Sequence, residues 1–166
     1  MLRRLSHVGV NVSNLERSVQ WYGSVLGLHL VARQTQANAY TRELLGVPDA
    51  VIEVAEFELP AAPGSPQSTL ELQEYKIPAP EAGNLNRVRV GHSHVSFVVD
   101  DVRAEHRRMS ALGVEFISDP VLITEGMNTG GWICYFNDPD GATLEIFQPA
   151  PAVADTGAAH SDGGEA

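Results

Sequence analysis

Two stretches of the chain read alike, and the likeness constrains the fold more than any other feature. "HVGVNVSNLERSVQWYGSVLGLHLV" begins at His7 and "HVSFVVDDVRAEHRRMSALGVEFIS" begins at His94. Each opens with a histidine on an alternating apolar run, the period of a strand with one face buried. A helix start follows in both. Ser13, with Glu16 three residues on, forms a capping box, and Asp101 is placed to cap the second helix. Both helical segments end in Leu-Gly: Gly27 lies 20 residues after His7 and Gly113 lies 19 after His94. Glycine there suits a left-handed helix cap. Further strand-like runs come next, and each half closes on the same phrase, "STLELQEY" at 68–75 and "ATLEIFQP" at 142–149.

The pattern predicts β-α-β-β-β twice. Strands are expected near 5–12, 29–36, 50–58 and 68–75 with a helix near 14–26. In the second half they are expected near 93–99, 114–118, 130–137 and 142–148 with a helix near 102–112. The fold class is α+β: two tandem βαβββ modules, 1–78 and 79–149. "LPAAPGSPQS", 59–68, reads as a turn, and "KIPAPEAGNLN", 76–86, has the composition of a linker. "APAVADTGAAHSDGGEA", 150–166, lacks large apolar residues and is expected to be a disordered acidic tail, His160 included. The segment "ANAYTRELLGVPDA", 37–50, stands where a simple turn would serve and is a candidate cover for the cavity mouth.

A formal charge of −10 disfavours nucleic acid and anionic membranes as partners. No stretch reaches the roughly 18 apolar residues of a membrane span, and the start "MLRRLSHVGV" is too polar for a signal peptide. The single cysteine, Cys134, excludes an internal disulfide and fits a reducing, cytoplasmic setting; inside "GWICYF" it reads as a small core residue.

The repeat supplies one histidine and one glutamate to each half: His7 and Glu71, His94 and Glu145. A glutamate between leucine and isoleucine is costly unless paired or bound to metal. Equivalent positions related by a pseudo-two-fold axis would bring two imidazoles and two carboxylates to one cavity. That donor set suits one divalent ion of the Zn, Ni, Co, Fe or Mn type. His92 is a neighbour of His94, and Gln73 shares the face of Glu71 as a stand-in ligand. His29 and His106 have no repeat partner and read as surface residues. Tyr75 and Tyr135 read as packing residues with hydroxyls that substrate could use. Arg33, Arg42, Arg87 and Arg89 are scattered and mark no phosphate or CoA pocket.

With these residues in place, the chain resembles the vicinal oxygen chelate superfamily of glyoxalase I, methylmalonyl-CoA epimerase, type I extradiol dioxygenases and the fosfomycin and bleomycin resistance proteins. The resemblance rests on "HVGVNVSNLERSVQWYGSVLG", "STLELQEY", "GHSHVSFVVDD" and "YFNDPDGATLEIFQP", with Asp138-Pro139-Asp140-Gly141 the most specific segment. It implies paired modules whose mixed sheet forms a cupped, barrel-like surface around a metal site with ligands at His7, Glu71, His94 and Glu145, and it implies a homodimer. A dioxygenase would use two histidines and one carboxylate, leaving three open positions. Here Glu71 is available as a fourth ligand, and "MNTGGWIC" lacks the histidine that resemblance would lead one to expect. Four ligands suit proton transfer beside a carbonyl, in a small substrate that chelates through two oxygens to give an enediolate or enolate. Glu145 is the expected base and Glu71 a ligand or second base. The alternatives are an extradiol-type dioxygenase and a non-catalytic small-molecule-binding resistance protein.

Overall fold

In the computed structural model, residues 1–59, 68–81, 83 and 86–152 are described. The elements run β1 (His7–Asn11), α1 (Leu15–Leu26), β2 (His29–Gln36), α2 (Ala39–Leu45), β3 (Val51–Glu58), β4 (Thr69–Ile77), β5 (Val95–Val98), α3 (Val102–Ala111), β6 (Val121–Leu122), β7 (Trp132–Asn137) and β8 (Thr143–Gln148). The turn expected over 59–68 falls mostly on residues outside those described, as does most of the tail expected over 150–166.

Among the described residues the strands form two four-stranded sheets, ordered β1-β4-β3-β2 and β5-β8-β7-β6. The order is the same in both halves. In each, the first strand lies parallel to the fourth and the remaining pairs are antiparallel. The tandem α+β architecture is therefore as the repeat implies. The barrel-like closure that the resemblance implies is not found: no strand pairing links the two described sheets.

One face of each sheet carries the core. Ala55, Phe57, Leu70 and Leu72 from the first half join Cys134, Phe136, Leu144 and Ile146 from the second in one cluster with Tyr22 and Met109. Strand alternation sends the intervening residues to the opposite face, which stays open at β1 and β5, where every second residue is exposed.

The halves are locked where the β7–β8 turn grips the start of α1. Asp140 accepts hydrogen bonds from the Ser13 backbone N–H at 3.0 Å and from its hydroxyl, and pairs with Arg17 at 2.6 Å. Burial pushes the Asp140 carboxyl up, but Arg17 and Ser13 outweigh it and hold the group below the usual Asp range. Two residues away, Asp138 accepts from the buried Tyr22 hydroxyl at 3.0 Å and from the backbone N–H of Asp140 and Ala142. Burial keeps Asp138 above the usual Asp value despite those donors.

Three local expectations are corrected. The cap of α1 is Asn14, whose side chain accepts from Arg17 N–H at 2.9 Å, because Ser13 is engaged by Asp140 instead. The strand expected over 114–118 does not form. Phe116 makes a lone bridge to Phe136, and the short β6 takes the pairing with β7. Proline at 120, which has no N–H to donate, ends the run. Finally, 37–50 contains a helix, α2, capped by Asn38 and closed by Gly46 at φ 64°.

Candidate functional site

The register of the first and last strand of each half decides which side chains meet. Gly9 pairs with Glu71, and Ser96 pairs with Glu145. His7 stands two residues before Gly9, and His94 stands two before Ser96. The offset is identical, so each histidine is the diagonal neighbour of its own glutamate on the open face. Nδ1 of His7 lies 3.8 Å from Oε1 of Glu71, and Nε2 of His94 lies 3.3 Å from Oε2 of Glu145. Both imidazoles are about half exposed, at 49% and 43%, while their glutamates are sheltered, at 21% and 8%.

Two donors on one tetrahedral ion with bonds of about 2.0–2.1 Å sit roughly 3.3 Å apart, and on an octahedral ion about 3.0 Å. The second pair already has that separation and the first is about half an ångström wide of it. Glu56 is directly across the strands from Glu71, a like-charged neighbour that destabilises the pairing. Two donors per half are nevertheless fewer than a metal requires. Among the described residues no three His, Cys, Asp or Glu side chains gather to hold an ion. The structure thus brings His7 to Glu71 and His94 to Glu145, as two separate pairs.

Each carboxylate has a neutral escort on the oxygen that its histidine does not face. The Ser96 hydroxyl donates to Oε1 of Glu145. The Gln73 amide donates to Oε2 of Glu71 at 3.2 Å. Gln73 reaches there over Gly9, where a Cβ would stand 3.4 Å from the Gln73 amide nitrogen. Gln73 is therefore a donor to Glu71 rather than a substitute for it.

Tyr135 is half-buried and pairs across the strands with Glu145. Its ring meets that of His94 edge-on at 5.2 Å. Burial, and then a hydrogen bond to Glu145, push its hydroxyl above the ordinary tyrosine value. Tyr135, read from sequence as a packing residue whose hydroxyl substrate could use, stands beside the second pair. Ser96 was not anticipated at all, although strand alternation from His94 points to it. Tyr75 instead lines a groove with Asn11 and Pro78.

The other histidines lie elsewhere. Nε2 of His92 is 3.1 Å from the Thr143 hydroxyl, and His92 precedes β5 rather than sharing it. His29 pairs with Glu58 at 3.7 Å. His106 is not a free surface residue: it is half-buried, with its ring 4.2 Å from that of Phe116. Arg33 is tied to Glu16 at 2.7 Å. Beside the second pair the open face is apolar. Val98 is 70% and Val121 49% exposed, and Ile133 stands opposite Phe147 across β7 and β8.

Comparison with known proteins places these features in context. Residues 4–146 match the model of the Glyoxalase/Bleomycin resistance protein/Dioxygenase superfamily. The chain is 27% identical over 148 residues to YwbC, an uncharacterized protein of Bacillus subtilis, covering 89% of this chain and 99% of that one. It is 29% identical over 152 residues to a lactoylglutathione lyase of Pseudomonas aeruginosa, covering 86% and 81%. Among solved structures, a glyoxalase family protein of Bacillus cereus superposes with a TM-score of 0.74 at 20% identity, covering 91% of this chain and 97% of that one, a likeness of fold.

Proposed function

Because the chain belongs to the Glyoxalase/Bleomycin resistance protein/Dioxygenase superfamily, we propose that it is a divalent-metal-dependent enzyme of the glyoxalase or epimerase type. It moves a proton at a carbon next to a carbonyl, in a small substrate that presents two neighbouring oxygens. The observation that carries this reading is the identical strand register that sets a histidine beside a sheltered glutamate in each half. His7, Glu71, His94 and Glu145 would hold the ion, of the Zn, Ni, Co, Fe or Mn type. When bound, the ion supplies Lewis acidity toward the two substrate oxygens.

The chain's own residues supply the rest. Glu145 is the base that takes the proton, its carboxylate held by the Ser96 hydroxyl through Oε1. Glu71 serves as ligand or as a second base that returns a proton to the opposite face, as epimerisation requires. The Tyr135 ring stands across the strands from Glu145 and edge-on to His94, walling that side of the pair. Each half offers two donors on a face that is open at the histidine, so the four-donor site assembles in a homodimer. The His7–Glu71 face of one copy meets the His94–Glu145 face of the other, and the exposed Val98 and Val121 lie beside that junction. The lone buried cysteine fits work in the cytoplasm.

Metal analysis of the purified protein tests this, followed by solvent deuterium incorporation into 2-hydroxy-ketones and 2-methyl-acyl thioesters. Exchange at the α-carbon that needs both the metal and Glu145 is the expected result. Ring cleavage of a catechol with O₂ uptake would replace the reading with a dioxygenase. Binding of an aromatic drug, insensitive to chelator and without exchange, would replace it with a binding module.

A further inference from the structure

We propose that Ser96 and Gln73 are a matched pair of positioning residues that present Glu145 and Glu71 to a metal ion through one oxygen each; this rests on the metal-site reading above. In both halves the glutamate uses its two oxygens differently. Oε2 of Glu145 faces His94 at 3.3 Å while Oε1 is held by the Ser96 hydroxyl. Oε1 of Glu71 faces His7 at 3.8 Å while Oε2 is held by the Gln73 amide at 3.2 Å. A carboxylate tied by one oxygen offers a single oxygen to an ion, and its plane is fixed before the ion arrives.

The two tethers come from different places in the repeat, and that difference makes the case. Opposite Glu145 the edge strand carries Ser96, close enough to donate directly. At the equivalent place opposite Glu71 it carries Gly9, which has no side chain to donate. The donor there comes instead from Gln73, two residues beyond Glu71 on its own strand, lying over the space that Gly9 leaves. Two residues beyond Glu145 is Phe147, which cannot donate, and there Ser96 already does. The first half lacks a donor at that position and carries one at another, while the outcome, one oxygen tethered and the other facing the histidine, is the same. Simple core packing has no use for that compensation. A ligand that must stay monodentate does.

The tethers serve the substrate as well. A carboxylate that swung to bind through both oxygens would occupy a position that a two-oxygen substrate needs. Restraining both glutamates therefore keeps adjacent positions open on the ion.

Cobalt(II) is the probe, because its visible absorption changes with coordination number. The full-length protein is titrated with cobalt as wild type and as Ser96→Ala, Ser96→Thr, Gln73→Met and the double variant Ser96→Ala/Gln73→Met. Loss of a residue that orients a ligand weakens metal binding by about 10-fold or more. Each donor-less variant should show that loss together with an altered cobalt spectrum. Ser96→Thr, which keeps the hydroxyl, should restore both, and melting temperatures should stay at the wild-type value. Wild-type affinity and spectrum in Ser96→Ala and Gln73→Met would overturn the inference and leave the metal site standing. Weakened binding matched by a fall in melting temperature, without rescue by Ser96→Thr, would overturn it also. No cobalt binding by the wild type would instead overturn the metal-site reading itself.

Discussion

Asp140→Ala tests the junction that orients the two halves. Asp140 joins residues 127 apart in sequence, accepting from Ser13 N–H at 3.0 Å and from its hydroxyl and pairing with Arg17 at 2.6 Å. It also places a negative charge at the start of α1, where the helix dipole favours it. A hydrogen bond to a charged group contributes about 1.5–3 kcal/mol. The Arg17 side chain is 45% exposed, so the three contacts do not sum, and about 2 kcal/mol is the expected loss. For a chain of this size each kcal/mol moves the melting point by about 2–4 °C, which predicts a fall of about 4–8 °C at neutral pH. The pH dependence follows from the carboxyl's lowered value in the fold. Its stabilisation is complete above the unfolded Asp value of about 3.9 and is lost as the pH falls through the lower folded value. Scanning calorimetry from pH 7 to about pH 3 should show the deficit of the variant shrinking on acidification. A deficit under about 1 °C at neutral pH, or one that stays constant on acidification, would refute the reasoning.

Other substitutions address separate parts of the molecule. Tyr22→Phe removes the hydroxyl that Asp138 accepts at 3.0 Å while leaving the buried ring in place. It should cost about 1.5–3 kcal/mol in denaturant titrations, with no change in metal content. Gly131→Ala would set a Cβ 2.7 Å from the Gln148 carbonyl and 3.0 Å from that of Asn128. Both are backbone atoms that cannot step aside, so a loss of about 1–3 kcal/mol is expected from the same titration. Burial pushes the Cys134 thiol up to about 11. Alkylation by iodoacetamide at neutral pH should be slow in the folded protein and complete once urea unfolds it. Fast labelling of the native state would contradict the burial described.

What was legible in the chain was what repetition and alternation encode. His7 and His94 on equal strands, the Asp101 cap and the paired Thr-Leu-Glu phrases all report local periodicity, and the common sheet order follows from them. What was missed depends on distant partners. Ser13 has the composition of a cap, but a carboxylate 127 residues away claims it and Asn14 takes the role. Residues 114–118 have strand composition, yet only Phe116 finds a bridge, since the pairing edge of β7 passes to β6 beyond Pro120. The helix α2 carries local signals of its own in the Asn38 cap and in Gly46. Closure into a barrel is a matter of how sheets meet, on which a strand pattern is silent. At the site, the four ligand candidates stood out by type, whereas Ser96 and Tyr135 are ordinary residues that matter through register with Glu145.

The central claim is that one His–Glu pair from each of two copies grips a single ion. His7→Ala and His94→Ala chains, each altered at a half-exposed side chain, can be unfolded together, refolded and assayed for bound metal. Sites shared between copies leave one intact site in every mixed dimer, so random pairing restores about a quarter of wild-type metal although neither variant alone holds any. If the mixture binds no more metal than the separate variants, the pairs do not combine across copies and the claim is wrong.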